Sequence, residues 1–234
     1  MEKLLKKNQI WNTEDKWIDT RLTQEELVIL IDAIAESKKV DSKKRSTNHT
    51  LAGNISRSDI IIDKNNMFYD KVLSKLIILN KGDPSEYKLS KFWVNYQKQY
   101  EFNPIHKHGG LYTFVVWVQI PTDWKEQHNL SISRNSNAPC ASDFVLAWGD
   151  RKEYVHTENF PLSKEDEGRI LFFPAKLSHM VYPFYGTEKE RISVSGNIIP
   201  KENWLEGNDW NEENITETFD NIIDNLFVQK NSGK

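Results

Sequence analysis

Cysteine is all but missing from this 234-residue sequence, and its one thiol, Cys140, can close no internal disulfide. A lone thiol also rules out a Cys-built zinc site or an iron–sulfur cluster within one chain. A dominant charge is lacking as well. Lys and Arg total 31 against 34 Asp and Glu, for a formal net charge of -3. That balance argues against an electrostatic nucleic-acid binder, which carries a basic face, and leaves a small molecule or a protein as the partner. No apolar run approaches the ~20 residues of a membrane span. The charged opening residues have no apolar centre of the kind a secretory leader needs. The expectation is a soluble protein of the cytoplasm with no membrane partner.

Aromatic residues, by contrast, are plentiful. They make up 12% of the chain, with eight tryptophans, and hydrophobic residues reach 38%, enough for one sizeable core. The organisation reads as three stretches. Residues 1–87 form a helical region packed on the core, 88–200 a strand-rich core, and 201–234 an acidic tail with one helix over 215–227. In the first stretch Thr23 and Glu26 make a capping box, after which Leu27, Leu30, Ile31 and Ile34 recur at helical spacing. A second amphipathic helix, over about 66–79, aligns Tyr69, Leu73, Leu76 and Ile77. Between them, 37–58 is a long polar loop able to cover a cleft. From Lys88 onward short runs rich in β-branched and aromatic residues (92–97, 112–120, 144–148, 169–173, 191–199) are split by Pro, Gly and Asn turns. Such irregular spacing predicts an antiparallel sandwich or barrel rather than βαβ units.

Three of the six histidines occupy unusual positions. His106 and His108 stand two apart, so on an extended chain both imidazoles point to one side and can face one metal. The run after them is apolar on both faces, which predicts a strand through the interior. His179 follows the turn after Pro174, at the start of another strand. Three nitrogen ligands would leave coordination positions open for chemistry. The bland alternative is a pair of surface histidines, and His49, His128 and His156 carry no such context. In 191–195, Arg191, Ser193 and Ser195 share one strand face and Ile192 and Val194 the other. A cation facing an apolar interior needs an anion, because an unpaired buried charge is costly. A dicarboxylate ligand would serve, gripped by the Arg191 fork with Ser193 beside it. So would an Asp or Glu on a neighbouring strand.

The order of these motifs resembles the 2-oxoglutarate- and Fe(II)-dependent oxygenase superfamily. It is similar above all to oxygenases of marine phage and bacterial genomes, related to the prolyl-hydroxylase branch. Residues 92–108, 168–174 and 190–197 carry the likeness, which spans about half of the chain. The resemblance implies a mainly β fold with flanking helices, a double-stranded β-helix or jelly roll. It implies an oxygenase with Fe(II) as metal and 2-oxoglutarate as cosubstrate, coupling decarboxylation to C–H oxidation of an unknown substrate. His106 and His179 match the metal histidines, Arg191 the arginine for the cosubstrate's distal carboxylate, and Ser193 the hydroxyl beside it. Where most of the superfamily has Asp or Glu, this chain has His108, giving the site one more positive charge. Asn95 and Tyr112, on strands flanking the motif, are further candidates for the cosubstrate pocket. Two alternatives belong to other classes: a cupin-like three-histidine metalloenzyme that does not use 2-oxoglutarate, and a non-catalytic module that keeps only the barrel. Arg191 speaks against the first, and metal content decides the second.

Overall fold

Two antiparallel sheets face each other in a computed structural model that describes residues 10–11, 17–39, 46–48, 51–149 and 154–201. The strands, in chain order, are β1 (Ile10–Trp11), β2 (Ile18–Arg21), β3 (Arg57–Ile60), β4 (Tyr87–Gln97), β5 (Asn103–His106), β6 (Tyr112–Gln119), β7 (Phe144–Gly149), β8 (Val155–Phe160), β9 (Arg169–Pro174), β10 (Ser178–Val181) and β11 (Arg191–Pro200). The larger sheet runs β1-β2-β9-β6-β11-β4-β3, and the smaller runs β5-β10-β7-β8. From β4 onward the chain crosses between the sheets at every step except β7 to β8, as in a jelly roll. The double-stranded β-helix expected from the motif order is the fold observed.

Strand alternation divides the side chains of the larger sheet into two layers. On β6, Val115 and Trp117 point toward the smaller sheet and meet Phe144, Leu146, Phe160, Leu171 and Phe173. Phe114 and Val116 point the other way and meet the helices. That double coverage explains why β6 is apolar on both faces. The first helix, α1 (Gln24–Ser37), has the Thr23–Glu26 capping box in place. Its Leu30 and Ile34 are buried, whereas Ile31 stands 45% exposed at the margin of the stripe. The second helical segment opens with a π turn over Tyr69–Leu73 and continues as α2 (Ser74–Leu79). Tyr69, Leu73, Leu76 and Ile77 are buried on one side of it, as the spacing predicts. Phe68 is fully buried beneath this segment, its ring 5.3 Å from Phe92 and 5.7 Å from Phe114.

The first 87 residues are not purely helical. β2 joins the larger sheet beside β9, where Arg169 grips the Asp19 carboxylate with Nε at 2.9 Å and Nη2 at 2.6 Å. β3 extends the other edge along β4. Both strands are short, four residues each, and polar enough to read as loop. β8 was hidden for the same reason, since Val155–Phe160 is exposed except at its end. The acidic tail and its expected helix lie outside the described residues. No described helix is long and apolar enough to cross a membrane.

Phe68 is the point where helices and sheet meet, so Phe68→Ala should cost about 3–5 kcal/mol, the usual range for emptying a fully packed aromatic site. Urea unfolding measures it, and a loss under about 1 kcal/mol would mean that the helical layer contributes little.

Candidate metal centre and its cavity

β5 and β10 are paired so that His106 lies directly opposite His179. His108 has left the strand by two residues, and its backbone N–H donates to Ala175 O at 2.9 Å, which carries its ring back toward the pair. The ring centroids of His106 and His179 are 4.2 Å apart, with His108 at 5.1 and 4.8 Å from them. One ligand nitrogen from each of the three lies within 4.8 Å of the others. No Asp or Glu joins this group among the described residues.

Backbone carbonyls decide which nitrogens face inward. His106 Nδ1 is 2.8 Å from Pro104 O and His179 Nδ1 is 3.0 Å from Leu177 O. A carbonyl only accepts, so each Nδ1 carries the proton and each Nε2 presents a lone pair. His179 Nε2 stands 3.0 Å from His108 Nε2. Pinning Nδ1 in this way is how metal-bound imidazoles are held in their tautomer.

Burial keeps all three rings neutral. It lowers the His106 pKa and takes His179 well below its ordinary value, helped there by its histidine neighbours. His108 is pushed down to about 3, first by burial and then by His106 and Lys91. Neutral imidazole is the form that binds a metal, so the donor set fits a divalent transition ion such as Fe(II).

The histidines open onto a cavity of about 340 Å³. Its polar wall is built from the inward positions of β4 (Lys91, Trp93, Asn95) and β11 (Ser193, Ser195, Asn197). These lie side by side, Asn95 opposite Ser193, Trp93 opposite Ser195 and Lys91 opposite Asn197. Phe144, Phe173 and Val115 line it elsewhere, and Thr47, Leu51 and Ala52 of the polar loop close one side. The loop sits hard against β5, since a Cβ on Gly53 would collide with Phe102 O and Asn103. Asn95 Oδ1 and Asn103 Oδ1 are buried at the cavity with no hydrogen-bond partner. No Asp or Glu lines the cavity among the described residues.

Two expected cosubstrate residues are placed differently. Tyr112 is on the outer face of the larger sheet, stacked on Phe172 at 5.1 Å, because it is out of phase with the inward Thr113 and Val115. It is no part of the cavity. Arg191 does face inward, one position beyond Ser193, but is only 2% exposed and is not a lining residue. Its partners are neither a free ligand space nor an acid. Nε and Nη2 donate to Gln97 Oε1 at 3.0 and 2.8 Å, Nη2 to Tyr182 O at 2.9 Å, and Nη1 to Ser142 O at 2.5 Å. Gln97, Asn103, Asn197, Thr113, Trp93 and Lys91 were not singled out in the sequence. Strand alternation from Asn95 and Ser193 would have found all but Asn103 and Thr113.

The sequence pattern of the family described as "Putative 2OG-Fe(II) oxygenase" matches residues 91–197, a span that contains all three histidines and Arg191. No curated protein matches the chain. Among solved structures, an oxidoreductase of the 2OG-Fe(II) oxygenase family from Burkholderia pseudomallei is similar, with 13% identity and a TM-score of 0.53 over 80% of this chain and 85% of that one. The non-heme alpha-ketoglutarate-dependent epimerase SnoN from nogalamycin biosynthesis gives 13% identity and 0.52 over 80% and 79%. A viral collagen prolyl hydroxylase from Paramecium Bursaria Chlorella virus-1 gives 14% and 0.48 over 80% and 98%. The fold is shared with the Burkholderia oxidoreductase and with SnoN, and over residues 91–197, the strands that carry the three histidines, the chain is similar in sequence to the 2-oxoglutarate- and Fe(II)-dependent oxygenases.

Proposed function

We propose that His106, His108 and His179 together hold the Fe(II) of this oxygenase, and that the Asn95–Ser193 end of the cavity receives the distal carboxylate of 2-oxoglutarate. The observation that carries this reading is the convergence of three neutral imidazoles, two with Nδ1 fixed on a carbonyl. Fe(II) with 2-oxoglutarate supplies the oxygen activation and C–H oxidation, chemistry that belongs to the cofactor. The chain's own residues orient and exclude. Phe144, Phe173 and Val115 keep the metal side dry, and the Gly53 loop walls off solvent. Ser193 can donate its hydroxyl to a carboxylate, and the Asn95 amide, left without a partner at Oδ1, can turn its N–H toward the same group.

Charge narrows the substrate. With Lys91 and Lys107 at the cavity and no acid among its described lining residues, a cationic group would find no counter-charge. We take the substrate to be a neutral or acidic small molecule, or a protein side chain of that kind, hydroxylated at carbon. The free Cys140 and the Fe(II) requirement suit a reducing compartment, the cytoplasm of a bacterium or of an infected host cell.

Anaerobic addition of Fe(II) and then 2-oxoglutarate should produce the visible charge-transfer band of the chelated complex. Iron binding without the band would favour the three-histidine enzyme that uses another cosubstrate. His179→Ala should abolish both band and metal-induced rise in Tm, while His156→Ala, far from the cluster in sequence and strand, should change neither.

Acid should expose the neutral histidines. In the unfolded chain each protonates near its ordinary value of about 6.5, whereas the folded His108 value is about 3. Below about pH 6.5 the unfolded state therefore binds more protons, and the metal-free protein loses stability as pH falls. His108→Gln should flatten that part of the Tm–pH curve, and an unchanged slope would mean that His108 is not held neutral.

A further inference from the structure

The inward positions of the larger sheet form three rows across the cavity floor. The inner row is Asn95 and Ser193. The middle row is Trp93, Ser195 and Val115, and the Trp93 ring lies 5.3 Å from His108. The outer row is Lys91, Asn197 and Thr113, followed by Phe173 on β9. Along β4 Lys91 is exposed, Trp93 half-buried and Asn95 buried, so the outer row is the one at the mouth. A polar row thus lies on each side of the row nearest His108.

These two polar rows cannot serve one cosubstrate. Asn95 is four positions from Lys91 on β4, and at ~3.3 Å per residue that is about 13 Å. A five-carbon diacid is about as long as two extended residues, ~7 Å. With its distal carboxylate at the inner row and its other end at the metal, 2-oxoglutarate leaves the outer row to a second ligand.

The outer row offers donors to that ligand. No Asp or Glu stands among the described lining residues to pair with the Lys91 ammonium, and Lys107 adds a second cation. Asn197 is buried, its Oδ1 lies 3.4 Å from Thr113 Oγ1, and no described residue accepts from its Nδ2.

We propose that Lys91 and Asn197 form the head-group subsite for the substrate, an organic acid whose carboxylate or phosphate is held there while its carbon chain passes over Trp93 toward the metal. This rests on the cosubstrate placement proposed above and narrows the substrate to an acid. Lys91 supplies the charge, and Asn197 supplies a directed N–H in a buried setting where an oxyanion needs both.

The test titrates hexanoate, hexyl phosphate, hexanamide and hexylamine into the Fe(II)- and 2-oxoglutarate-loaded protein, without oxygen, by calorimetry. The parent should bind one of the two acids at least about tenfold more tightly than the amide, and the amine more weakly still. The tighter acid identifies the head group. Lys91→Met should cut the acid-to-amide ratio at least about fivefold, and Lys91→Arg should keep most of it. Affinity for 2-oxoglutarate should change by less than about threefold in both variants. A parent with no acid preference overturns the proposal. A preference that survives Lys91→Met would put the acid on the iron and overturns it as well. So does a Lys91→Met loss as large for 2-oxoglutarate as for the acid, which would assign Lys91 to the cosubstrate. If the parent does not bind 2-oxoglutarate, the cosubstrate placement fails by itself, and the same titration on the Fe(II)-loaded protein still decides the subsite.

Discussion

The register of two short strands decides what this barrel can do. Pairing β10 with β5 so that His179 faces His106 brings together candidate ligands 73 positions apart in the chain. A slip of one residue would turn either imidazole to the other face of its strand. The register is supported from both sides, because β10 also pairs along its length with β7, whose Phe144 and Leu146 belong to the core between the sheets. The candidate metal centre is therefore held by the same contacts that make the fold stable. His108 is the exception, placed by the single bond from its N–H to Ala175 O.

Burial then sets the chemistry. Three imidazoles close together can share a small volume only if they stay neutral, and the apolar wall of Phe144 and Phe173 makes the charged form expensive. A protein carboxylate would offset two positive charges of a divalent ion only in part, and here none is offered among the described ligands. The anions that complete the balance must come from outside, and the cosubstrate is a dianion. The absence of acids along the cavity, the cage of neutral acceptors around Arg191 and the three neutral ligands all act in one direction, toward an anionic ligand.

Much of this was legible in the sequence because it depends on local pattern. The five core strands carry enough β-branched and aromatic residues to be read directly, and the Thr23–Glu26 box marks its helix to the residue. His106 and His179 stood out through spacing. What stayed hidden is what depends on tertiary partners. β2 is held by the Asp19–Arg169 pair, between residues 150 positions apart, and no propensity reveals it. Tyr112 was misplaced by one step of strand phase, a shift that alternation punishes fully. Arg191 was expected to face either a ligand or an acid. Its actual partners include two backbone carbonyls, Ser142 and Tyr182, and such groups leave no mark in a sequence.

Iron K-edge X-ray absorption on the Fe(II)-loaded protein tests the three-histidine centre most directly. Outer-shell scattering from three imidazole rings, lowered to two in His108→Ala, is the result this account requires. Scattering from two rings or fewer in the parent, unchanged in His108→Ala, would contradict it.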